Sequence, residues 1–528
     1  MATRRDGKSR PNILLLVSDQ ERNWTDLPDA LELQAHERLR GSGTAFRNYN
    51  VHTTPCSPSR STMYTGRHTQ HTRMVSNHGA PPFPELPEGM PTLGHMLRGE
   101  GYYTAYKGKW HLSGITTDDQ LQYGRYRSTR GDMEPFGFAD YNFYGDPHGV
   151  TWTGYRYDPA IASDAAHWLR TRGVTLAGEA RPWLLCVNFV NPHDVMFFDS
   201  GGDQSRTRLV PDLLGPLAPS PSGGAYGRYW DVPLPRSFSA DSLAGKPWIQ
   251  RAYVDFCNDV YGRMRPEDEE QWLRLQSYYF NCIRDVDRNA CTVLEALDQA
   301  GLADRTVVVL TADHGEMAGA HGMRQKGPHV YRENVGVPLI VSHPDVGGGG
   351  TTEALGGPID LAPTLLAFAG RDRTEVAGRH PELAGVDLSP VVADPRARTE
   401  RDRRGLLYNY STQLYIDPDF THALLSGERD ARPSLDKRAF FRGVHDGRYK
   451  FARYFAPSDH HRPEDWNTLA TRNDLELYDT REDPDELVNL AQDPDRRDLV
   501  LELNARVNAL IDREVGADDG SEHPAPLR

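Results

Sequence analysis

The segment TTPCSPSRSTMYTGR, Thr53 to Arg67, sets a sulfur nucleophile, a proline and an arginine at CxPSR spacing, as Cys56, Pro58 and Arg60. Pro58 suits the first position of a helix, where its fixed φ fits and its missing N–H would have had no partner anyway. Residue 56 then stands at a helix N-terminus, where free backbone N–H groups and the positive end of the dipole favour an anion. Arg60, one turn on, is expected to reach back to the nucleophile. Asp19 closes the apolar run Ile13 to Val17, Asp313 and His314 follow TVVVLTA, and His193 follows WLLCVNFV. In an open α/β sheet the ligand crevice lies at the carboxyl ends of the strands, so these groups can meet there. Carboxylate oxygens with one imidazole nitrogen suit a hard or borderline divalent cation.

The elements that must hold these residues are short apolar runs reading as strands buried on both faces: Ile13 to Val17, Trp183 to Val190, Val307 to Leu310 and Pro338 to Val341. Helix-like segments lie between them, the clearest at Glu269 to Leu302, where Tyr278, Ile283, Val286, Val293, Leu294 and Leu297 recur at roughly helical spacing. The alternation predicts an α/β fold with a mostly parallel sheet between helices. Asp199 to Lys246 is rich in Gly, Pro and Ser and too long for an ordinary connection, so we read it as an excursion that shapes a substrate entrance.

A charged stretch near Pro395 to Arg404 precedes Leu406 to Tyr410 and a hairpin pattern in Arg438 to Phe455 that turns at Asp446-Gly447. The division expected is a catalytic unit over 1–395, a small antiparallel-sheet α+β unit over 396–515, and a frayed tail over 516–528.

Composition narrows the function classes. In 528 residues, 60 Lys and Arg against 74 Asp and Glu leave a formal charge of −14, with no basic footprint for nucleic acid or an anionic membrane. An anionic substrate would need a local positive pocket. The 5 cysteines, Cys56, Cys186, Cys257, Cys282 and Cys291, are too sparse for a disulfide framework. Cys186, inside an apolar strand, reads as a small core residue. The run Ile13 to Val17 is too short for a signal peptide, and no stretch approaches the ~20 apolar residues of a membrane helix. A soluble, cytoplasmic protein with reduced thiols is the expectation.

The blocks quoted above resemble, in order, those of the formylglycine-dependent sulfatases of the alkaline phosphatase superfamily. CSPSR with the following TGR is similar to their first signature, GYYTAYKGKWH (101–111) to their second, and TADHGEMAGAHGMRQKG (311–327) to a metal-and-lysine block. RGVHDGRYKFARYF and LELYDTREDPDELVNLA look like their C-terminal unit, so the likeness runs from about Arg10 to about Leu510. It implies an alkaline-phosphatase-like fold and hydrolysis of sulfate esters to alcohol and inorganic sulfate. It also implies a formylglycine made from Cys56 by a formylglycine-generating enzyme, whose recognition sequence includes Pro58 and Arg60.

By the same resemblance the metal ligands are Asp19, Gln20, Asp313, His314 and the modified residue 56, with Ca²⁺ favoured over Mn²⁺ or Mg²⁺. Gln20 stands where many relatives carry a second Asp. Lys109 and Lys326 would bind the sulfate, His111 would take a proton from the aldehyde hydrate, and His193 would protonate the departing alcohol. Lys107 departs from the family pattern and is expected to point to solvent. His68, His71, His78, His321 and His329 have no pattern that assigns them a role. Two alternatives stay open: a phosphonate monoester or phosphodiester hydrolase using the same site, and a non-catalytic sulfate-binding protein with Cys56 unmodified. The partner implied is a small sulfated substrate, and neither the alcohol nor the oligomeric state is written in the residues.

Overall fold

Alternation in the first strand decides the layers. In β1 (Asn12–Asp19) every residue is buried. Ile13, Leu15 and Val17 pack into one core with Met63, Tyr64 and Leu365. Leu14 and Leu16 pack into another with Ile161, Ala165, Val286 and Val293. A strand apolar on both sides must be covered on both sides, and each such side chain contributes about 1.5–3 kcal/mol on burial. The computed structural model describes residues 10–78, 84–114, 133–143, 145–209, 215–412, 417–426, 428 and 430–523.

β1 pairs in parallel with β4 (Trp183–Pro192) and with β5 (Thr306–Ala312). The remaining strands of the large sheet are β2 (Thr44–Tyr49), β3 (Tyr103–Gly108), β6 (Leu339–Ser342) and β7 (Gly350–Gly356). The seven run in the order β3-β4-β1-β5-β6-β2-β7. All four runs expected as strands are strands, but β6 lies antiparallel to both β5 and β2. One reversed strand makes the sheet mixed and mostly parallel. β2, β3 and β7 are short and interleave polar residues, so their apolar runs were too weak to stand out. Helices Thr153–Trp168 and Glu269–Gln299 cover one face, and helices Cys56–Thr65 and Leu361–Phe368 cover the other.

Four further strands, β8 (Leu406–Tyr410), β9 (Phe440–His445), β10 (Tyr449–Phe455) and β11 (Asp474–Asp479), form an antiparallel sheet in the order β11-β10-β9-β8. The β9–β10 hairpin turns at Asp446-Gly447, where Gly447 takes φ 97°, Asp446 N donates to Tyr449 O at 3.1 Å and Tyr449 N donates to Asp446 Oδ1 at 2.7 Å. Helix Arg497–Glu514 packs on this sheet through Val500, Leu503, Val507 and Leu510.

The excursion over 199–246 forms short helical turns against the long Glu269–Gln299 helix, with Trp230 buried and its Nε1 donating to Asn281 Oδ1 at 2.9 Å. Residues 1–9, 210–214 and 524–528, included in the sequence-based divisions, lie outside the described residues.

Two expectations change. Lys107 is buried rather than solvent-facing: Nζ donates to Asp140 O at 2.6 Å and pairs with Asp164 at 2.8 Å. It sits on the helix-covered side of β3, and an ammonium there requires a carboxylate. The described part of the tail, 516–523, does not fray either. Asp518 pairs with the buried Arg442 at 2.7 Å and accepts from Gln70 at 3.1 Å, and Glu522 and His523 are buried. The tail supplies the anion that Arg442 needs. Removing one partner of a buried pair costs about 3–5 kcal/mol. Asp518→Ala is therefore expected to lower the chemical denaturation midpoint by an amount of that order, and an unchanged midpoint would place the tail outside the folded unit.

Candidate active site

Strand register builds the site. Asp19 pairs with Pro192, the residue before His193, and Ser18 pairs with Ala312, the residue before Asp313. Gly108 pairs with Asn188, so Lys109 leaves β3 at the same edge. Residues far apart in sequence thus meet at the carboxyl ends of four neighbouring strands, as the sequence predicts.

Cys56 opens the helix Cys56–Thr65. Its Sγ lies 3.1 Å from His314 Nε2 and 3.8 Å from Asp19 Oδ1. His314 Nε2 is 3.7 Å from both Asp19 Oδ1 and Asp313 Oδ1. Asp19, Cys56, Asp313 and His314 are buried and offer ligand atoms all within 4.8 Å of one another. His314 Nδ1 lies 3.0 Å from the Gly315 carbonyl, which can only accept. Nδ1 therefore carries the hydrogen, and Nε2 turns a lone pair into the cluster. Two carboxylates, an imidazole nitrogen and residue 56 match a divalent cation site. Gln20, in left-handed backbone at φ 75°, adjoins the cluster through its N–H to Asp313 Oδ1 at 3.1 Å. Its amide oxygen accepts from Lys326 Nζ at 2.5 Å, and its amide nitrogen donates to Glu316. Amide oxygen has two lone pairs, so that bond leaves one for a cation.

The charges around the cluster are balanced by buried cations. Lys109 Nζ contacts Asp19 Oδ2. Burial works against ionising Asp19, yet Lys109, His193, His314 and Lys326 hold its carboxyl well below the usual range. Burial also pushes the Cys56 thiol up, as does Asp19, but Lys109, Lys326 and His314 bring it below its ordinary value. His314 is shifted upward: burial opposes a charge there, and Asp313 and Cys56 outweigh it. The cluster attracts positive charge, whether a proton or a metal ion. His111 is shifted well down by burial and then by Lys109, and His193 by burial and then by Lys326 and Lys109.

Arg60 does not point at residue 56 as expected. Its Nη1 bonds Asp313 Oδ2 at 3.1 Å, Nε bonds Trp110 O at 3.1 Å, and Nη2 bonds Lys109 O at 2.6 Å and Asn188 Oδ1 at 2.7 Å. The helical turn carries residue 60 under the strand ends, where carbonyls converge, rather than back toward residue 56. Sequence reasoning missed Asn188, Glu316 and Asp146. Asn188 alone carried a signal, a polar residue inside an apolar strand.

His193 follows β4 in a short helical turn and is buried. Its neighbour Asp194 accepts from Gly154 N and Tyr155 N, both at 2.9 Å, at the start of helix Thr153–Trp168. His111, with φ 56°, has its N–H bonded to Asp146 Oδ2 at 2.6 Å and its carbonyl bonded by Ser57 Oγ at 2.6 Å. Every predicted site residue lies at this edge, with Arg60 beneath it. Of the unassigned histidines, His68 pairs with Glu514 and His321 with Asp241, away from the cluster.

Comparison with known proteins matches residues 11–371 to the model of a family described as Sulfatase. A choline-sulfatase of Rhizobium meliloti is 26% identical over 512 residues, covering 92% of this chain and 83% of the relative. A structure of a 2-O GAG sulfatase superposes with a TM-score of 0.65 at 21% identity, covering 96% of this chain and 92% of that one. The phosphonate monoester hydrolase of Silicibacter pomeroyi superposes with a TM-score of 0.64 at 21% identity, covering 96% of each chain.

Among the described residues, Arg60 donates the side-chain hydrogen bond that Asp313 accepts. In the unmodified protein, Arg60→Met is expected to cost about 3–5 kcal/mol by chemical denaturation, the penalty for removing one partner of a buried ion pair. Arg60→Lys should retain the charge but lose the fork to Lys109 O, Trp110 O and Asn188, giving an intermediate loss. A stability equal to wild type in both would remove Arg60 from this role.

Proposed function

The chain belongs to the sulfatase family, a family of sulfuric ester hydrolases, and from that premise we propose that it cleaves a small sulfate ester through a formylglycine at position 56 beside one divalent metal ion. The observation that carries this reading is the convergence of Cys56, at a helix N-terminus, with Asp19, Asp313 and His314. A hydrated aldehyde at position 56 would supply the nucleophile for sulfur, and the ion would supply Lewis acidity. Asp19, Gln20, Asp313, His314 and residue 56 would hold that ion, and the oxygen-rich donor set favours Ca²⁺, with Mn²⁺ or Mg²⁺ also compatible. Maturation would require a formylglycine-generating enzyme, and we place the protein in the cytoplasm.

Within this reading Lys109 and Lys326 neutralise the sulfuryl oxygens; both ammonium groups are buried and already face the anionic cluster. A chain of net charge −14 thereby still presents a positive floor to an anion. His111 is neutral near pH 7 because burial and Lys109 depress it, and a neutral imidazole accepts a proton. It takes the proton whose removal expels sulfate after the alcohol has gone. His193 is likewise depressed, by burial and by the two lysines. The negative charge of a sulfate ester arriving among those cations offsets their charge and raises the proton affinity of His193, which takes a proton from solvent and passes it to the departing oxygen. Both histidines have Nδ1 buried and without a hydrogen-bond partner among the described residues.

The same cluster could act on phosphorus, and the phosphonate monoester hydrolase shares the fold. Lys109, Trp110 and His111, the block that resembles sulfatases, favour sulfate. On protein in which mass analysis of the Cys56 peptide shows the aldehyde, kcat/KM is expected to be higher for an aryl sulfate than for the matching aryl phosphonate monoester. Dominant phosphonate cleavage would overturn sulfate as the substrate. An unmodified thiol after co-expression with the generating enzyme, together with no turnover, would support a sulfate-binding protein instead. Chelation should abolish activity and remove about 2.7 kcal/mol of stability relative to metal at a hundredfold excess over its dissociation constant. Re-addition of Ca²⁺, Mn²⁺ or Mg²⁺ then identifies the ion by which one restores both readouts.

A further inference from the structure

The proton-transfer histidines share an orientation problem. An imidazole is usually aimed by a hydrogen bond from its second ring nitrogen to a carboxylate or carbonyl. Among the described residues, Nδ1 of His111 and Nδ1 of His193 are both buried and have no such partner. Among the described residues, packing rather than an Nδ1 hydrogen bond is what constrains each plane.

A single turn touches both. Asp146 Oδ1 accepts from Trp110 N at 3.0 Å, and Oδ2 accepts from His111 N at 2.6 Å. These bonds fix His111 in its left-handed backbone, φ 56°, a region that non-glycine residues seldom occupy. Two residues on, the His148 ring stacks on His111 with centroids 5.4 Å apart and planes 27° apart. Gly149 then passes against His193. A Cβ at position 149 would lie 2.5 Å from His193 Nδ1 and 2.6 Å from its Cε1, and Gly149 has φ +112°, so only glycine fits both the space and the backbone. The turn is anchored beyond this point, where Val150 N donates to Thr153 Oγ1 at 2.8 Å at the head of helix Thr153–Trp168. Asp194, next to His193, binds the same helix head.

We propose that the Gly145 to Gly149 turn is the positioning device for both histidines, with Asp146 setting His111 through its peptide N–H and Gly149 setting the plane of the His193 ring by contact. This rests on the roles assigned above to His111 and His193. Its chemical consequence concerns which alcohols the site can release. A nitrophenolate departs without a proton, whereas an alkoxide needs one as the S–O bond breaks, so the orientation set by Gly149 governs alkyl sulfates far more than activated aryl sulfates. Asp146 acts on the step after the alcohol has left, and its effect carries no dependence on the alcohol.

The test compares Gly149→Ala, Asp146→Asn, His193→Ala and the double variant Gly149→Ala/His193→Ala, all with verified aldehyde at position 56. The substrates are aryl sulfates of graded leaving-group pKa and an alkyl sulfate. General acid catalysis contributes roughly 10²–10⁴-fold, so Gly149→Ala should cost about 100-fold in kcat/KM on the alkyl sulfate but no more than about 3-fold on 4-nitrophenyl sulfate. Asp146→Asn should bring kcat on the good leaving groups down to one common value and show there a burst of alcohol before the slow steady state, with kcat/KM unchanged on every substrate. If Gly149 acts through His193, adding Gly149→Ala to His193→Ala should change nothing further. Equal losses across leaving groups for Gly149→Ala, or additive losses in the double variant, would overturn the inference while His193→Ala kept its leaving-group dependence. If His193→Ala itself shows no such dependence, the role assigned to His193 fails, and with it the premise.

Discussion

One buried guanidinium holds the catalytic edge together. Arg60 has no exposed surface, and its nitrogens reach Asp313, the Lys109 and Trp110 carbonyls and Asn188. Those partners come from the loop after β5, the end of β3 and the middle of β4, so one side chain ties the helix that Cys56 opens to three strands. Only arginine carries five donors in a planar fork that can serve a carboxylate, an amide and two carbonyls at once. The Lys109 to His111 segment is held on its other side by Asp146 and Ser57, and Lys109 N bonds Asn188 O at 3.0 Å. With those peptide groups satisfied, the chain can run through a left-handed residue at His111 without local secondary structure to support it.

Around this frame the site concentrates opposite charges that burial alone would expel. Asp19 and Asp313 are fully buried, as are Lys109 and Arg60, and each is tolerable only because the others are there. Asp19 keeps its charge against desolvation, the Cys56 thiol is shifted down, and His111 and His193, beside the lysines, are shifted toward neutrality. An arrangement of this kind spends stability on function: it fixes the dipoles and charges before the substrate arrives, so little reorganisation is left for the reaction. Positive charge for an anionic ester, in a chain that is acidic overall, is local to this edge.

The positioning of the histidines follows the same logic at one remove. Neither ring is aimed by its second nitrogen among the described residues, and the groups that do constrain them, Asp146 and Gly149, lie on a turn between two elements rather than on the strands. Strand ends fix where a residue emerges, to within the register of the sheet. The orientation of a ring beyond that point depends on what packs against it, and here that is a loop whose sequence, GDPHG (145–149), has no regular pattern.

The sequence by itself determined the large sheet's four strands with uninterrupted apolar runs, the long amphipathic helix, the β9–β10 hairpin, and the placing of Asp19, His193, Asp313 and His314 just after strands at one sheet edge. Those were legible because burial on both faces leaves an uninterrupted apolar run, and because chemistry-bearing residues fall just after such runs. The tertiary structure alone decided that β6 is reversed and that Arg60 serves Asp313 and three backbone or amide groups rather than residue 56. It alone showed that Lys107 has buried partners, that the tail supplies the anion for Arg442, and that Gln20 bridges Lys326 and Glu316. Each of these depends on a partner at least 28 residues away in the chain. Local composition records whether a residue is apolar or charged, whereas the identity of a polar residue's partner is set only when the strands align.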